Sequence, residues 1–189
     1  IFIKCITNGG ILVYNEDDAE VKRVAEAATN AIRKLPYTTS NYKVENGITL
    51  LETPEGDMPI EVFGAHNLNN LAGAKWICQN MGVDEADFYE AIATFKGASK
   101  RLEKIAEGKG KVAYKDFAHS PSKVSATTKA VKNQYPNRKL IACLELHTYS
   151  SLNAEFLKEY QGALDSADVA VVFYSPDAVK IKQLEEVTY

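Results

Sequence analysis

Two continuous apolar runs, each preceded by a helical pattern, constrain the fold of this chain more than any other feature. The runs are KLIACLEL at 139–146 and DVAVVFY at 168–174. Helical patterns at Pro121–Gln134 and Ala154–Leu164 come before them, and a last helix is expected from Asp177. Strands that are apolar on both faces are typical of a parallel sheet that helices cover on both sides. The second half of the chain is therefore predicted to be α/β with a mostly parallel sheet.

The first half carries a mixed pattern of strands and helices. The pair Asn46-Gly47 lies between two alternating runs, which is the strongest short signal for a β-hairpin. The mixed pattern gives way to the regular one near Phe95–Ser99, so we predict two domains, residues 1–96 and 97–189. The other elements predicted are a strand at 9–15, a helix at Asp17–Ile32, a third strand at 58–64, helices at His66–Met81 and Asp84–Phe95, and a hairpin around Gly108 and Gly110.

Composition excludes several classes of protein. The 189 residues are 46% hydrophobic and 25% charged, enough for one large or two small cores, and no apolar run reaches the roughly 20 residues of a membrane span. The formal charge of −3 gives no reason to expect nucleic acid. The three scattered cysteines, Cys5, Cys78 and Cys143, are expected to be reduced core residues. We expect a soluble, cytoplasmic protein without a membrane partner. The sequence starts at Ile1 in the middle of an amphipathic pattern, so we expect it to be part of a larger chain.

The stretch GAHNLNNLAGAKW at 64–76 places one histidine and three asparagines at the start of a predicted helix. Asparagine is unfavourable inside a helix because its amide competes for backbone hydrogen bonds. Asn67 and Asn70 come to neighbouring positions on the first turn, with His66 beside them. A side-chain amide offers a donor and an acceptor together, which matches the N6 and N7 edge of adenine. The alternative, a helix cap with solvated polar residues, stays open.

The stretch KDFAHSPSK at 115–123 is a second candidate site. Ser120 and Pro121 predict a helix start, where backbone N–H groups lack partners. Asp116 and His119 precede that start, in the kind of turn where open α/β sheets bind ligands. The alternative is a histidine in an ordinary polar turn.

Two basic segments are weaker evidence for a functional site when each is taken alone. Arg101 in SKRLE has the ordinary alternative of a solvated surface arginine. The segment GKGK at Gly108–Lys111 lacks the spacing of a phosphate loop, and Val112 follows where that loop needs Ser or Thr. We therefore predict a turn there, and we find no complete nucleotide-binding loop in these 189 residues.

Taken in order, four motifs resemble the Mur ligase family, whose members join amino acids or peptides to UDP-N-acetylmuramic acid in bacterial wall synthesis. The motifs are FIxxITNGGILVYNEDD, GAHNLNN, FKGASKRLE and KDFAHSP, and the resemblance covers essentially the whole chain. It implies the tail of a central ATP-binding α/β domain at 1–96 and a Rossmann-like C-terminal domain, possibly incomplete, at 97–189. It also implies ATP and Mg²⁺ as cofactors and an acyl phosphate intermediate. The phosphate loop, the magnesium ligands and the UDP-binding domain of the family have no counterpart in these residues, so the chain alone is expected to be inactive.

The resemblance also implies roles for individual residues. Asn67 and Asn70, with His66, would lie against adenine, Arg101 would reach a phosphate of ATP, and Asp116 would approach the ribose. Phe117 and His119 would face the incoming amine. His147, Thr148 and Ser151 follow the buried strand from Leu140, at the end where α/β sheets place ligands, and are predicted to bind the substrate. The alternative for this segment is a surface turn. Arg101 and His119 are the predicted catalytic residues.

Within the family the segment Lys100-Arg101-Leu102-Glu103 looks most like the murein peptide ligase branch, which couples the tripeptide L-alanyl-γ-D-glutamyl-meso-diaminopimelate. The alanine-adding relatives carry arginines where this chain has Thr148 and Ser151, which leaves no bidentate clamp for a small amino acid. Three alternatives remain: UDP-N-acetylmuramate–L-alanine ligase, a folylpolyglutamate-type ligase, and a non-catalytic nucleotide-binding or interaction module of the same fold.

Overall fold

Parallel strand pairs occur in both halves of the computed structural model, which describes residues 2–181. The chain divides into a first unit, Ile1–Lys96, and a second unit that begins at Gly97. Both units combine helices with strands, so the predicted α/β class is confirmed. Among the described residues, no helix has both the length and the apolar character that crossing a membrane would require.

The first unit opens with a parallel β-α-β arrangement. Strand β1 (Ile11–Asn15) pairs with β2 (Arg33–Tyr37), and helix α1 (Ala19–Glu26) connects them. Asp18 caps α1, because its Oδ1 accepts hydrogen bonds at 2.9 Å from the backbone N–H groups of Glu20 and Val21.

Helix α1 is shorter than the helix predicted at Asp17–Ile32, and strand β2 was not predicted. The strand carries Pro36, a residue that argues against a strand because it cannot donate to a ladder. Val21 and Val24 are 41% and 42% exposed, and α1 instead packs through the fully buried Ala25. The apolar spacing therefore predicted a wider buried face for this helix than the structure shows.

A three-stranded antiparallel sheet follows, formed by β3 (Tyr42–Glu45), β4 (Ile48–Thr53) and β5 (Gly56–Ile60). Asn46 and Gly47 have φ of 53° and 77°, which fits a turn with two left-handed residues and confirms the predicted hairpin. Helices α2 (Ala65–Asn80) and α3 (Glu85–Ala93) pack on this sheet. The core between them is made of Leu51, Ile60, Leu68, Leu71 and Phe88.

Helix α2 also approaches the parallel pair closely, at Gly73. A Cβ atom at this position would lie 2.8 Å from Cζ of Tyr37 and 3.0 Å from its hydroxyl oxygen. Such distances are shorter than van der Waals contact, so glycine is what permits this approach. Gly73 itself is buried.

The second unit begins with a hairpin of β6 (Glu103–Gly108) and β7 (Lys111–Lys115), as predicted. Helix α4 (Pro121–Gln134) leads to β8 (Ile141–Leu146), which pairs in parallel with β9 (Val169–Tyr174). The connection contains α5 (Ala154–Leu157) and a 3₁₀ turn at Lys158–Tyr160, so the helix predicted at Ala154–Leu164 lasts only one turn. Helix α6 (Pro176–Ile181) ends the described part. The core is made of Val124, Leu144, Leu146, Leu152, Ala163 and Val179.

One face of the β8–β9 pair is exposed, which corrects the expectation of helices on both sides for the described part of the chain. Ile141 is 60% and Phe173 58% exposed on this face, which we call the outer face, and Cys143 lies between them. The cysteine prediction is wrong at two positions, because Cys5 and Cys143 are exposed, and Cys78 is half-buried. An apolar run alone cannot tell a strand covered on two faces from one covered on a single face.

Candidate functional site

The first turn of α2 presents the predicted asparagines without using them as caps. The helix begins after Gly64, whose φ is 90° and which provides no side-chain cap. The Nδ2 of Asn67 donates to the carbonyl of Phe63 at 2.9 Å, which leaves Oδ1 of Asn67 to accept from a ligand. Asn70 is exposed, and its side chain has no hydrogen-bond partner within residues 2–181. The helix-cap part of the alternative is therefore wrong for these asparagines, whereas the exposed Asn70 also agrees with its other part, a solvated polar residue. His66 lies half-buried beside them.

Asn69 faces the protein instead, and sequence reasoning gave it no role. Its Nδ2 lies 3.2 Å from Oδ1 of Asn15 and 3.1 Å from Oγ1 of Thr39. The carboxylate of Asp17 accepts from the backbone N–H of Thr39 at 2.9 Å and belongs to the same network. These groups lie at or just after the carboxyl ends of the parallel strands β1 and β2, where α/β sheets bind ligands. The network fixes the rotation of α2 about its axis, with Asn69 facing the ends of β1 and β2. Asn67 and Asn70 take no part in this network.

In the second unit, Asp116 is held by three donors of the protein. Its Oδ2 accepts from the backbone N–H of Leu102 at 2.8 Å, and its Oδ1 accepts from the N–H of Ala118 at 2.7 Å. The hydroxyl of Thr127 on α4 also donates to Oδ1, at 3.3 Å. Because a carboxylate has about four acceptor positions, one position remains for a ligand such as a ribose hydroxyl.

Arg101 lies on a turn between Lys100 and Leu102 and is exposed. No ion pair or side-chain hydrogen bond engages its guanidinium among the described residues. An arginine presents five N–H donors and a permanent charge, so it can bind phosphate oxygens in a bidentate manner. The structure therefore leaves Arg101 available for an anionic ligand.

Phe117, His119 and His147 form a group of three rings. The ring centroid of Phe117 lies 5.1 Å from that of His119 and 6.2 Å from that of His147, and Phe117 is 59% exposed. The Nδ1 of His119 lies 2.9 Å from the carbonyl of Phe117. The hydroxyl of Tyr160, a residue that the sequence did not single out, donates to the carbonyl of His119. Burial raises the pKa of Tyr160, which keeps the hydroxyl protonated as a donor.

Thr148 and Ser151 close a turn at the carboxyl end of β8. Ser151 is 2% exposed, and its Oγ accepts from the backbone N–H of Thr148 at 2.9 Å while donating to the carbonyl of Thr148 at 3.1 Å. Ser151 is therefore engaged within its own turn, and its contact with a substrate stays a prediction. Thr148 is half-buried and its hydroxyl also bonds Ser151. This turn holds the loop after His147 without contributing a charge.

The described residues contain no large cluster of metal-binding side chains. Among residues 2–181, no three histidine, cysteine or acidic side chains are grouped so that they could hold a metal ion. In the first unit, the amides of α2 keep groups that can bind a base, and in the second unit the guanidinium of Arg101 can bind a phosphate.

Comparisons with known proteins were made over the whole chain, and no family model matches it. The UDP-N-acetylmuramate–L-alanine ligase of Gloeothece citriformis is 32% identical over 162 residues, or 80% of this chain and 32% of that protein. The same-named ligase of Caldicellulosiruptor bescii is 28% identical over 183 residues, or 90% of this chain and 40% of that protein. The chain thus spans about a third of the length of the curated relatives that it matches.

Among solved structures, MurF from Acinetobacter baumannii has the same fold. The two superpose with a TM-score of 0.64 at 15% identity, over 95% of this chain and 47% of that one. At this identity the likeness concerns the fold only. The chain is therefore similar in sequence to UDP-N-acetylmuramate–L-alanine ligases and similar in fold to MurF.

Proposed function

We propose that this chain forms the base-reading and acceptor-facing parts of an ATP-dependent ligase, which joins an amino acid or a peptide to UDP-N-acetylmuramic acid in the cytoplasm. ATP would supply the phosphoryl group that activates the carboxylate of the sugar. The observation that carries the proposal is the first turn of α2, where the amides of Asn67 and Asn70 keep unused hydrogen-bonding groups. The relatedness to UDP-N-acetylmuramate–L-alanine ligases supports it independently.

The amides would select adenine by the chemistry of its edge. Adenine offers a donor at N6 beside an acceptor at N7, whereas guanine offers an acceptor at O6 in place of that donor. An asparagine can turn its oxygen toward N6 and its nitrogen toward N7. Asn70 has both groups unused, and Asn67 has its oxygen. Such a site prefers ATP over GTP.

Asn70→Ala tests this role in the complete ligase. Removing one partner of a desolvated hydrogen bond costs about 1–3 kcal/mol, so we expect the Michaelis constant for ATP to rise about 5- to 150-fold. The preference for ATP over GTP should narrow at the same time. Asn80→Ala is the matched control, because Asn80 has the same side chain at the other end of α2 and, within residues 2–181, bonds the carbonyl of Trp76 alone. Unchanged constants for both nucleotides in Asn70→Ala would reject the proposal.

In the second unit, Arg101 would contact a phosphate of ATP, and Asp116 would use its remaining acceptor position toward the ribose. The rings of Phe117, His119 and His147 would line the entry of the amine, with Thr148 at its edge. An exposed phenylalanine between two histidines suits an acceptor with both apolar and polar groups.

The acceptor is proposed to be the tripeptide of the murein peptide ligase branch. The turn after β8 supports this choice, because Thr148 and Ser151 supply no cation where a free amino acid needs a carboxylate clamp. L-alanine remains the second candidate, since the curated relatives are L-alanine ligases.

A further inference from the structure

The turn that carries Arg101 has a backbone conformation that side chains disfavour. Lys100 and Leu102, on either side of Arg101, have φ of 58° and 47°. The left-handed region is costly for residues with a Cβ, because Cβ comes too close to the carbonyl oxygen. Two such residues around one arginine persist only where surrounding contacts hold them. The contacts that do so identify further residues with a role at this site.

Glu103 holds the first side of the turn. Its Oε2 accepts a hydrogen bond from the backbone N–H of Lys100 at 2.7 Å and a second one from the hydroxyl of Ser99 at 3.3 Å. Both donors precede Arg101 in the chain, and Glu103 follows it. The carboxylate therefore closes a loop around Arg101. The contact to a backbone N–H is charge-assisted, which makes it stronger than a neutral hydrogen bond.

The second side of the turn is tied to the segment that carries Phe117. The N–H of Leu102 donates to Asp116 at 2.8 Å, and the N–H of Phe117 donates to the carbonyl of Lys100 at 2.8 Å. Leu102 is 8% exposed, so its side chain is anchored as well. Leu102 is thus held by two contacts and the carbonyl of Lys100 by one. The contact that holds the N–H of Lys100 is that of Glu103.

We propose that Glu103 is a positioning residue, which preorganises Arg101 for an anionic ligand by holding Lys100 in the left-handed conformation. The inference rests on the phosphate role of Arg101 in the proposed function and adds to it a residue that makes no contact with the ligand. A site that is already ordered binds more tightly because less conformational freedom is lost on binding. Without Glu103, Lys100 returns to negative φ, and the backbone of Arg101 is no longer held in one position.

The charge of Glu103 makes the proposal testable, because positioning and simple electrostatics predict opposite changes in anion affinity when Glu103 is removed. A carboxylate two residues from Arg101 repels an anion, so simple electrostatics predicts that removing it tightens anion binding. Positioning predicts the opposite result for Glu103→Ala. Glu103→Gln removes the charge and keeps an oxygen acceptor for the N–H of Lys100, so it should bind at least as tightly as the unmodified chain. Glu107→Ala is the charge control, because Glu107 is an exposed carboxylate on the same strand β6.

The experiment is an NMR titration of the isotope-labelled 189-residue chain with inorganic tripolyphosphate. We expect the dissociation constant to rise at least fivefold in Glu103→Ala, and to stay within twofold or fall in Glu103→Gln and Glu107→Ala. The HN–Hα coupling and Cα shift of Lys100 should lose their left-handed values in Glu103→Ala alone, while the β8 amide signals show that the unit stays folded. Glu103→Ala that binds as tightly as the unmodified chain, or that keeps left-handed Lys100, would overturn the positioning role.

Arg101→Gln separates this result from a failure of the proposed function. Binding that is lost or weakened in Arg101→Gln shows that tripolyphosphate uses Arg101, and the comparison of Glu103 variants then decides on positioning alone. If the unmodified chain shows no binding that depends on Arg101, its phosphate role in the proposed function fails, and the positioning role of Glu103 is overturned with it.

Discussion

Gly73→Ala tests how closely α2 must approach the parallel pair of the first unit. Alanine favours a helix by about 1 kcal/mol over glycine. Here, however, the added Cβ would lie 2.8 Å from Cζ of Tyr37, and overpacking of this kind costs about 1–3 kcal/mol. The difference predicts a loss of about 0–2 kcal/mol in the free energy of unfolding. Removing the ring of Tyr37 should reverse the sign of this change. In a Tyr37→Ala background, Gly73→Ala should therefore stabilise the unit by about 1 kcal/mol.

The measurement is urea unfolding of the four proteins of this double-mutant cycle. Trp76 is the only tryptophan of the chain and lies in α2, so its fluorescence reports on the first unit. The predicted coupling between the two substitutions is about 1–3 kcal/mol, equal to the cost of overpacking. If Gly73→Ala changes the free energy of unfolding equally in both backgrounds, the contact with Tyr37 does not restrict α2, and the reasoning is refuted.

Two further predictions concern the second unit. Hydrogen bonds from Lys132 and from the backbone N–H of Leu140 lower the pKa of Asp168 from its ordinary value of 3.8. The stability that Asp168 contributes is therefore present above pH 3.8 and is lost as the pH falls through the lowered pKa. Asp168→Asn should therefore make the free energy of unfolding in urea, followed by β8 amide signals, less dependent on pH below about 4. An unchanged pH dependence would contradict this. In the complete ligase, side-by-side coupling to UDP-N-acetylmuramic acid should be faster with the tripeptide than with L-alanine, and the reverse result would assign the L-alanine branch.

Elements with strong local signals were predictable from the sequence. The hairpin at Asn46-Gly47 needs two left-handed residues in succession, and this pair is the one that adopts them most readily. Helix α4 was predicted at both ends because Ser120 and Pro121 mark its start and the apolar spacing ends at Gln134. In both cases a few adjacent residues determine the structure, so one sequence is sufficient.

Features that depend on distant partners could not be predicted in the same way. Strand β2 exists because β1 pairs with it, although Pro36 argues against a strand. Asn67, Asn69 and Asn70 have identical side chains, and only the position of Asn15 and Thr39 shows that Asn69 faces inward. The role proposed for Glu103 likewise depends on backbone angles that residue types do not encode. The sequence therefore indicated where the candidate site lies, and the structure separates the residues available to a ligand from those that hold it.

The parallel pairing of β8 with β9 also determines the order in which the second unit can fold. The hairpin of β6 and β7 closes over the two residues Lys109 and Gly110, so it can form within microseconds. Ile141 meets Val169 only after the whole connection between the strands has been brought into place, and the entropy of that closure is lost before any contact compensates for it. We expect β9 to dock late, which leaves the apolar side chains of β8 open to other chains for most of the folding time.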